Sequence, residues 1–169
     1  MLCALNIPWM ACPLRLQVHS GPDIISEHIQ KFNIWEPYET MLVLQHLRPG
    51  SVFLDIGANI GYYTVLAGSV VGDRGLVIAY EPDAENYRLL ECNIDLNDLT
   101  NVRAFRAALG DQASQGSIYL SQDNKGNHRL FDEGDGRRMA AVEILNGDEH
   151  VSQLTERLDF IKIDTEGYE

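Results

Sequence analysis

Basic residues are scarce in this chain: 13 Lys and Arg stand against 25 Asp and Glu, a formal charge of −12. Such an excess repels a phosphate backbone, and no local basic run offsets it, so nucleic acid is not an expected partner. Cysteine is equally sparse. Cys3, Cys12 and Cys92 are odd in number and contain no C-x-x-C pair, which gives no zinc or disulfide framework and fits a reducing compartment. His19, His28, His46, His128 and His150 are scattered, none at ligand spacing from another, so no metal site is expected. Long apolar runs are missing too. The apolar opening from Met1 to Leu14 is too short to span a bilayer, has no basic residue before Arg15 and is broken by Pro8 and Pro13. It reads as an N-terminal arm over 1–22, loosely ordered or strand-like, on a protein expected to be cytoplasmic. No internal repeat or long linker divides the remainder, so 23–169 is taken as one domain.

What is present is an alternation of strand and helix patterns. Glu36-Pro37 opens a helix that runs through Met41, Leu44 and Leu47 and stops before Pro49-Gly50. Ser51 to Ile56 is nearly all apolar, as in a strand covered on both faces. A helix through Tyr63, Ala67 and Val70 follows, then a strand from Leu76 to Tyr80. Pro82 opens another helix, with Ala84, Tyr87, Leu90 and Ile94 at helical spacing, and Val102 to Arg106 is a third strand. This order predicts a doubly wound, mostly parallel α/β sheet. Beyond Gly110 the pattern changes: a strand over Gly116–Ser121, a polar stretch over Asp123–Gly136 and a short strand over Val142–Leu145 suggest an inserted flap. Leu158 to Asp164 is the fourth core strand.

The chemistry concentrates at two strand ends. Val52-Phe53-Leu54-Asp55-Ile56-Gly57-Ala58-Asn59-Ile60-Gly61 runs from a buried strand through an acid and a glycine-punctuated turn into a helix. Such a turn brings backbone N–H groups and a helix N-terminus to a small anion. Tyr80-Glu81-Pro82-Asp83 ends the next strand with a second acid, placed to accept ribose hydroxyls. Dinucleotide sites need G-x-G-x-x-G, and here Asn59 stands where the middle glycine lets a pyrophosphate approach. Asp55 is also poorly matched to a pyrophosphate but suits an ammonium group. S-adenosylmethionine offers an ammonium for Asp55, a carboxylate for the loop N–H groups and a ribose for Glu81, and is preferred over NAD on charge matching.

Asp55-Ile56-Gly57-Ala58-Asn59-Ile60-Gly61-Tyr62-Tyr63-Thr64 is followed by Tyr80-Glu81-Pro82, by Asn101-Val102 leading to Ala108-Leu109-Gly110-Asp111, and by Ile161-Lys162-Ile163-Asp164-Thr165-Glu166-Gly167-Tyr168-Glu169. With Trp35-Glu36-Pro37-Tyr38-Glu39-Thr40 upstream, this set resembles the FkbM family from about Asp23 onward. The resemblance implies a Rossmann-like class I methyltransferase using S-adenosyl-L-methionine to methylate a hydroxyl of a sugar, glycan or secondary metabolite. The expected cofactor residues are Asp55 (at the ammonium, through water), Gly57, Ala58, Asn59 and Gly61 in the loop, Glu81 at the ribose, Pro82 and Asp83 beside the adenine and Ala108 on its other side. Tyr62 and Tyr63 could lay a ring against the sulfonium, Tyr63 also reading as core; Glu36 and Glu39 either close over the cofactor or favour the positive end of their helix.

For catalysis Asp164 is the first candidate, as base or acceptor-orienting carboxylate, with Glu166 second. A cap on the following element or a salt bridge with Lys162 is the alternative for both. His128, in the polar flap, is a further candidate base, set against a plain exposed loop histidine. Asp164-Thr165-Glu166-Gly167 stands where methylases of amino groups on bases carry D/N/S-P-P-Y/F, which by resemblance favours an oxygen acceptor. The fourth strand is expected to leave an apolar edge, covered by sequence beyond a truncated chain, by the N-terminal segment or by a second subunit in a homodimer; truncation is preferred. A truncated, non-catalytic cofactor-binding domain and an NAD-dependent oxidoreductase are the competing readings.

Overall fold

Residues 1–8, 10, 13–121, 125–131, 134 and 136–168 are described by the computed structural model. Cys12, Asn124 and Glu169, along with other parts of the expected flap, lie outside them. The chain opens with β1 (Leu2–Ala4) and β2 (Arg15–Gln17), an antiparallel pair, followed by α1 (Ile24–Phe32) and α2 (Pro37–His46). Then come β3 (Val52–Ile56), α3 (Tyr62–Val71), β4 (Leu76–Tyr80), α4 (Ala84–Leu96) and β5 (Val102–Phe105). The last third holds β6 (Ala108–Gly110), β7 (Ser114–Leu120), β8 (Arg138–Asn146), α5 (Gly147–Leu154) and β9 (Phe160–Ile163).

The central sheet has the order β5-β4-β3-β9, with every pair parallel. From β3 the chain steps outward to β4 and β5, then returns to lay β9 on the other side of β3. That reversal opens a crevice at the carboxyl ends of β3 and β9, where ligands of doubly wound sheets sit. Side chains alternate across the sheet because a strand has a period of two. Phe53 and Val77 face one side and pack with Val65, Leu66 and Leu89 of α3 and α4. Leu54, Ile78 and Tyr80 face the other and meet Val151 and Leu154 of α5.

Of the two forms expected over 1–22 the strand-like one is found, and it is packed into the core. Leu5, Ile7, Leu14, Leu16 and Val18 are buried in the same cluster as Phe53. Polar side chains of α4 fasten it from below. Asn93, fully buried, accepts from Gln17 N–H at 2.6 Å and donates to the carbonyls of Gln17 (2.9 Å) and Ile60 (2.7 Å). Asn97 brackets Arg15 in the same way, accepting its N–H at 2.9 Å and donating to its carbonyl at 2.7 Å. The hairpin is therefore laid along α4 and does not pair with β9, so it does not supply the edge cover considered for that strand. β9 ends the sheet among the described residues, with Ile161 and Ile163 48% and 51% exposed.

The flap is more extensive than its sequence suggests. β8 runs nine residues instead of four and pairs antiparallel with β7 and parallel with β6, a second three-stranded sheet. Between β7 and β8 the Lys125 peptide is held on both sides. Its N–H donates to Asp23 Oδ1 at 2.8 Å, and its carbonyl accepts from Asn86 Nδ2 at 3.0 Å. Asp23 meanwhile caps α1 through Oδ2 and Ser26 N–H, so one carboxylate joins helix and flap. No helix among the described residues is long and apolar enough to cross a membrane.

Asn93→Ala removes three bonds at once and strands backbone groups of Gln17 and Ile60, each a cost of about 1–3 kcal/mol. Urea unfolding is expected to show a loss of about 2–4 kcal/mol, far above that of an exposed Asn→Ala change.

Candidate active site

A cleft of about 1150 Å³, counted out to its open mouth, lies over the crevice at the ends of β3, β4 and β9. The loop after β3 forms its floor. Gly57 has φ +76, and a Cβ built there would sit 2.0 Å from the Asp164 carbonyl oxygen, so only glycine lets the β3 and β9 loops meet. Asn59 also takes a left-handed conformation, at φ 53, which asparagine tolerates better than most residues. Gly61 (φ +89) leads into α3, and a Cβ there would come 2.6 Å from Leu90 of α4. Its role is helix packing, and it does not line the cleft.

The loop spends its N–H groups on itself. Gly57 and Ala58 both donate to the Tyr80 carbonyl (3.0 and 2.9 Å), Asn59 N–H donates to Glu81 Oε2 (2.7 Å), Ile60 N–H to Asn59 Oδ1 (2.6 Å) and Gly61 N–H to the Ala58 carbonyl (2.9 Å). A ligand carboxylate therefore does not find the loop donors expected from sequence. Donors lie one step further on, where Gly61 gives α3 no side-chain cap and the first turn of the helix opens toward the cleft.

Glu81 is the most constrained acid facing the cleft. Its Oε1 accepts from Asp83 N–H at 2.9 Å while Oε2 holds Asn59 N–H. Burial pushes its pKa up to about 7 despite those two bonds and the attraction of Lys162. The sign follows: because the folded-state pKa lies above the ordinary 4.5, Glu81 favours the fold most below pH 4.5 and that contribution is lost as pH rises to about 7. Each carboxylate oxygen keeps a second lone pair for a ligand donor.

Asp55 takes a place other than the one expected. It is fully buried and does not line the cleft. Thr64 Oγ1 of α3 donates to its Oδ2 at 2.6 Å, and Lys162 Nζ lies 3.4 Å from Oδ1, an ion pair without well-aligned hydrogen-bond geometry. Asp83, expected beside the adenine, is likewise engaged elsewhere in the fold. Its Oδ1 caps α4, accepting from Glu85 and Asn86 N–H at 2.9 Å each, and it lies outside the cleft. Gly57, Ala58, Asn59 and Tyr62 do line the cleft, as do Glu81, Pro82 and Ala108.

All three catalytic candidates reach the same space. Asp164 is 56% exposed at its side chain and 3.7 Å from Lys162 Nζ, so the salt bridge considered for it does form. Glu166 lines the cleft from a left-handed turn at φ 56. His128 lines it from the flap, but its Nδ1 accepts from Ser121 N–H at 3.0 Å. That bond uses the one lone pair of a neutral imidazole and leaves the proton on Nε2. Burial pushes the His128 pKa down, against a weaker opposing pull from Asp83, so the ring stays neutral near pH 7. In this tautomer Nε2 carries the proton and is a donor. Among the described residues no cluster of His, Cys, Asp and Glu could hold a metal ion.

The glycine loop, Glu81 and the β9 acids are thus gathered in one crevice. The profile described as the Methyltransferase FkbM domain matches residues 55–169. This chain belongs to the FkbM methyltransferase family. A probable cobalt-precorrin-6B C(15)-methyltransferase (decarboxylating) from Sulfurisphaera tokodaii is 35% identical over 83 residues, 48% of this chain and 43% of the relative. Its counterpart from Sulfolobus acidocaldarius is 40% identical over 53 residues, 31% and 28% of the two chains. The chain thus spans less than half the length of these curated relatives. Among solved structures, a SAM-dependent methyltransferase from Aquifex aeolicus overlaps 44% of this chain and 40% of its own, at 24% identity and TM-score 0.39. A SAM-dependent O-methyltransferase from Thermotoga maritima overlaps 50% and 34%, at 24% identity and TM-score 0.41.

In this FkbM chain, Lys162 has a larger part than a salt bridge with Asp164. It donates to the Gly57 carbonyl at 2.7 Å, pairs with Asp55 and Asp164, and lies 5.6 Å from the centre of the Tyr63 ring. The parallel register sets Lys162 directly beside Asp55. Aligning Phe53-Leu54-Asp55-Ile56 with Phe160-Ile161-Lys162-Ile163 as neighbouring strands would have revealed the pair. Lys162→Met leaves a buried carboxylate unpaired and is expected to destabilise the fold by about 3–5 kcal/mol. Adding Asp55→Asn removes the charge, and a denaturation double-mutant cycle is expected to show most of that loss recovered.

Proposed function

We propose that this chain is the cofactor-binding and catalytic domain of an S-adenosylmethionine-dependent O-methyltransferase acting on a hydroxyl of a small molecule or glycan. The observation that carries the reading is Glu81: a desolvated carboxylate at the end of β4, facing the switch-point cleft, with lone pairs left on both oxygens. Two adjacent ribose hydroxyls match it as donors. The uncapped start of α3 suits the carboxylate of an amino-acid tail. Asn59, with its side chain bonded back to Ile60 N–H in the middle-glycine position, is poorly shaped for a pyrophosphate and weighs against NAD. The oxygen acceptor rests on Asp164-Thr165-Glu166-Gly167 at the end of β9 and on family resemblance.

When bound, the cofactor supplies an electrophilic methyl group on a sulfonium. The chain's own residues do the rest. Glu81 and the α3 N-terminus fix the two ends of the ligand, and Tyr62 and Tyr63 wall the space between them. Burial raises the pKa of both phenols, so they stay neutral and do not compete for the methyl group. Asp164 is the carboxylate that orients the acceptor hydroxyl and takes its proton. Its Lys162 neighbour lies 3.7 Å away, and both line the cleft. The exposed β9 edge fits a homodimer contact or a further segment of the whole protein.

Ribose hydroxyls bind the ionised form of Glu81, so binding must release a proton where the free carboxyl is half protonated, near pH 7. Calorimetric titration with S-adenosylmethionine is expected to show proton release near pH 7 and affinity falling roughly tenfold per unit below it. Glu81→Gln is expected to lose both the pH dependence and about two orders of magnitude in affinity. Affinity unchanged in that variant would refute the assignment.

A further inference from the structure

The Lys162 pairing leaves a question of charge. An α-amino-acid tail carries an ammonium and a carboxylate on one carbon, so the two groups must be met side by side. Asp55, the acid expected to meet the ammonium, is sealed from the cleft, bonded to Thr64 and neutralised by Lys162. Another carboxylate lining the cleft near α3 would match that ammonium in charge. Glu81 is spoken for by the ribose, and Asp164 by Lys162 and the acceptor.

Glu36 meets the requirement. It sits at the N-terminal boundary of α2 with φ 39 and ψ 71, a left-handed conformation that a residue with a Cβ adopts only at a cost. Its side chain makes no cap bond to its own helix. It turns into the cleft, where Oε2 accepts from the Tyr63 hydroxyl at 2.8 Å and Oε1 remains for a ligand. Tyr63 is the second residue of α3, so this bond ties the Glu36 carboxylate through a side chain to the first turn of the helix whose start suits the tail's carboxylate, and both residues line the one cleft. A second tie secures the same turn. Thr40 Oγ1 donates to the Trp35 carbonyl at 2.7 Å and lies 3.1 Å from the Tyr62 hydroxyl, whose proton it can accept. Desolvation and the Glu36 contact raise the Tyr63 pKa, so its hydroxyl keeps its proton and stays a donor.

We propose that Glu36 is the carboxylate that binds the α-ammonium of the cofactor's amino-acid tail, with Tyr63 as its positioning residue and Asp55 as a structural partner of Lys162. The inference rests on the S-adenosylmethionine reading above. It explains why an acid occupies a strained position, fails to cap its helix and is tied to α3 by the Tyr63 hydroxyl.

The test compares two ligands on the whole chain by calorimetry. S-adenosylhomocysteine carries the amino-acid tail, and 5′-methylthioadenosine carries adenosine and sulfur without it. Glu36→Gln is expected to weaken S-adenosylhomocysteine by about tenfold or more while leaving 5′-methylthioadenosine within about twofold. Tyr63→Phe, which keeps the ring, is expected to give the same selective loss in smaller degree. Asp164→Asn is expected to leave both ligands within about twofold. Unchanged S-adenosylhomocysteine affinity in Glu36→Gln would overturn the proposal. So would equal loss of both ligands, or a selective loss that follows Asp164→Asn instead. A wild-type chain that binds neither ligand would overturn the cofactor reading itself, and this inference with it.

Discussion

The buried contact of Lys162 with Asp55 and the Gly57 carbonyl is the constraint on which the site depends. It ties the central strand, the strand that returns beside it and the glycine loop through one ammonium group. Removing charges from water costs several kcal/mol per ion, which mutual attraction offsets only when the geometry and the remaining hydrogen bonds are in place. Here Thr64 and the Gly57 carbonyl supply those bonds. The pair also accounts for the close approach at Gly57, because the loop is drawn toward β9 until only a residue without a side chain fits. Loop, crevice and the position of Asp164 all follow from this one arrangement.

Once Asp55 is committed to Lys162, the acids of the site sort by environment. Asp83 is absorbed by the start of α4. Glu81 is desolvated and held by backbone N–H groups, with burial pushing its pKa up to about 7, which suits the ribose contact proposed for it. Glu36 is partly buried and aimed by a neutral phenol. Asp164 stays in contact with solvent and with a cation, which fits the proton exchange proposed for it. Residues of one chemical type thereby acquire different roles without any metal ligand among the described residues.

Much of this was legible in the sequence, and what was missed has identifiable causes. The parallel strands, the glycine turn and Glu81 could be read because apolar runs and glycine-acid punctuation have local physical meaning. The position of β9 beside β3 followed from chain order. The strand-like form of the N-terminal segment was readable but its docking on α4 was not, because it is held by Asn93 and Asn97, side chains some 80 positions away. α1 and α5 carried proper cap residues in Asp23 and Asn146 but only short apolar stripes. Asp55 was read by charge matching to a ligand, which took no account of Lys162 on the neighbouring strand. His128 was read from its intrinsic pKa alone, whereas the bond from Ser121 decides which nitrogen carries its proton.

The most direct measurement is a crystal structure of the chain with S-adenosylhomocysteine. The account predicts ribose hydroxyls on Glu81, the tail's carboxylate at the start of α3 and its ammonium on Glu36, with Lys162 still between Asp55 and the Gly57 carbonyl. A ligand whose ammonium displaces Lys162 to reach Asp55, or one bound away from Glu81, would contradict it.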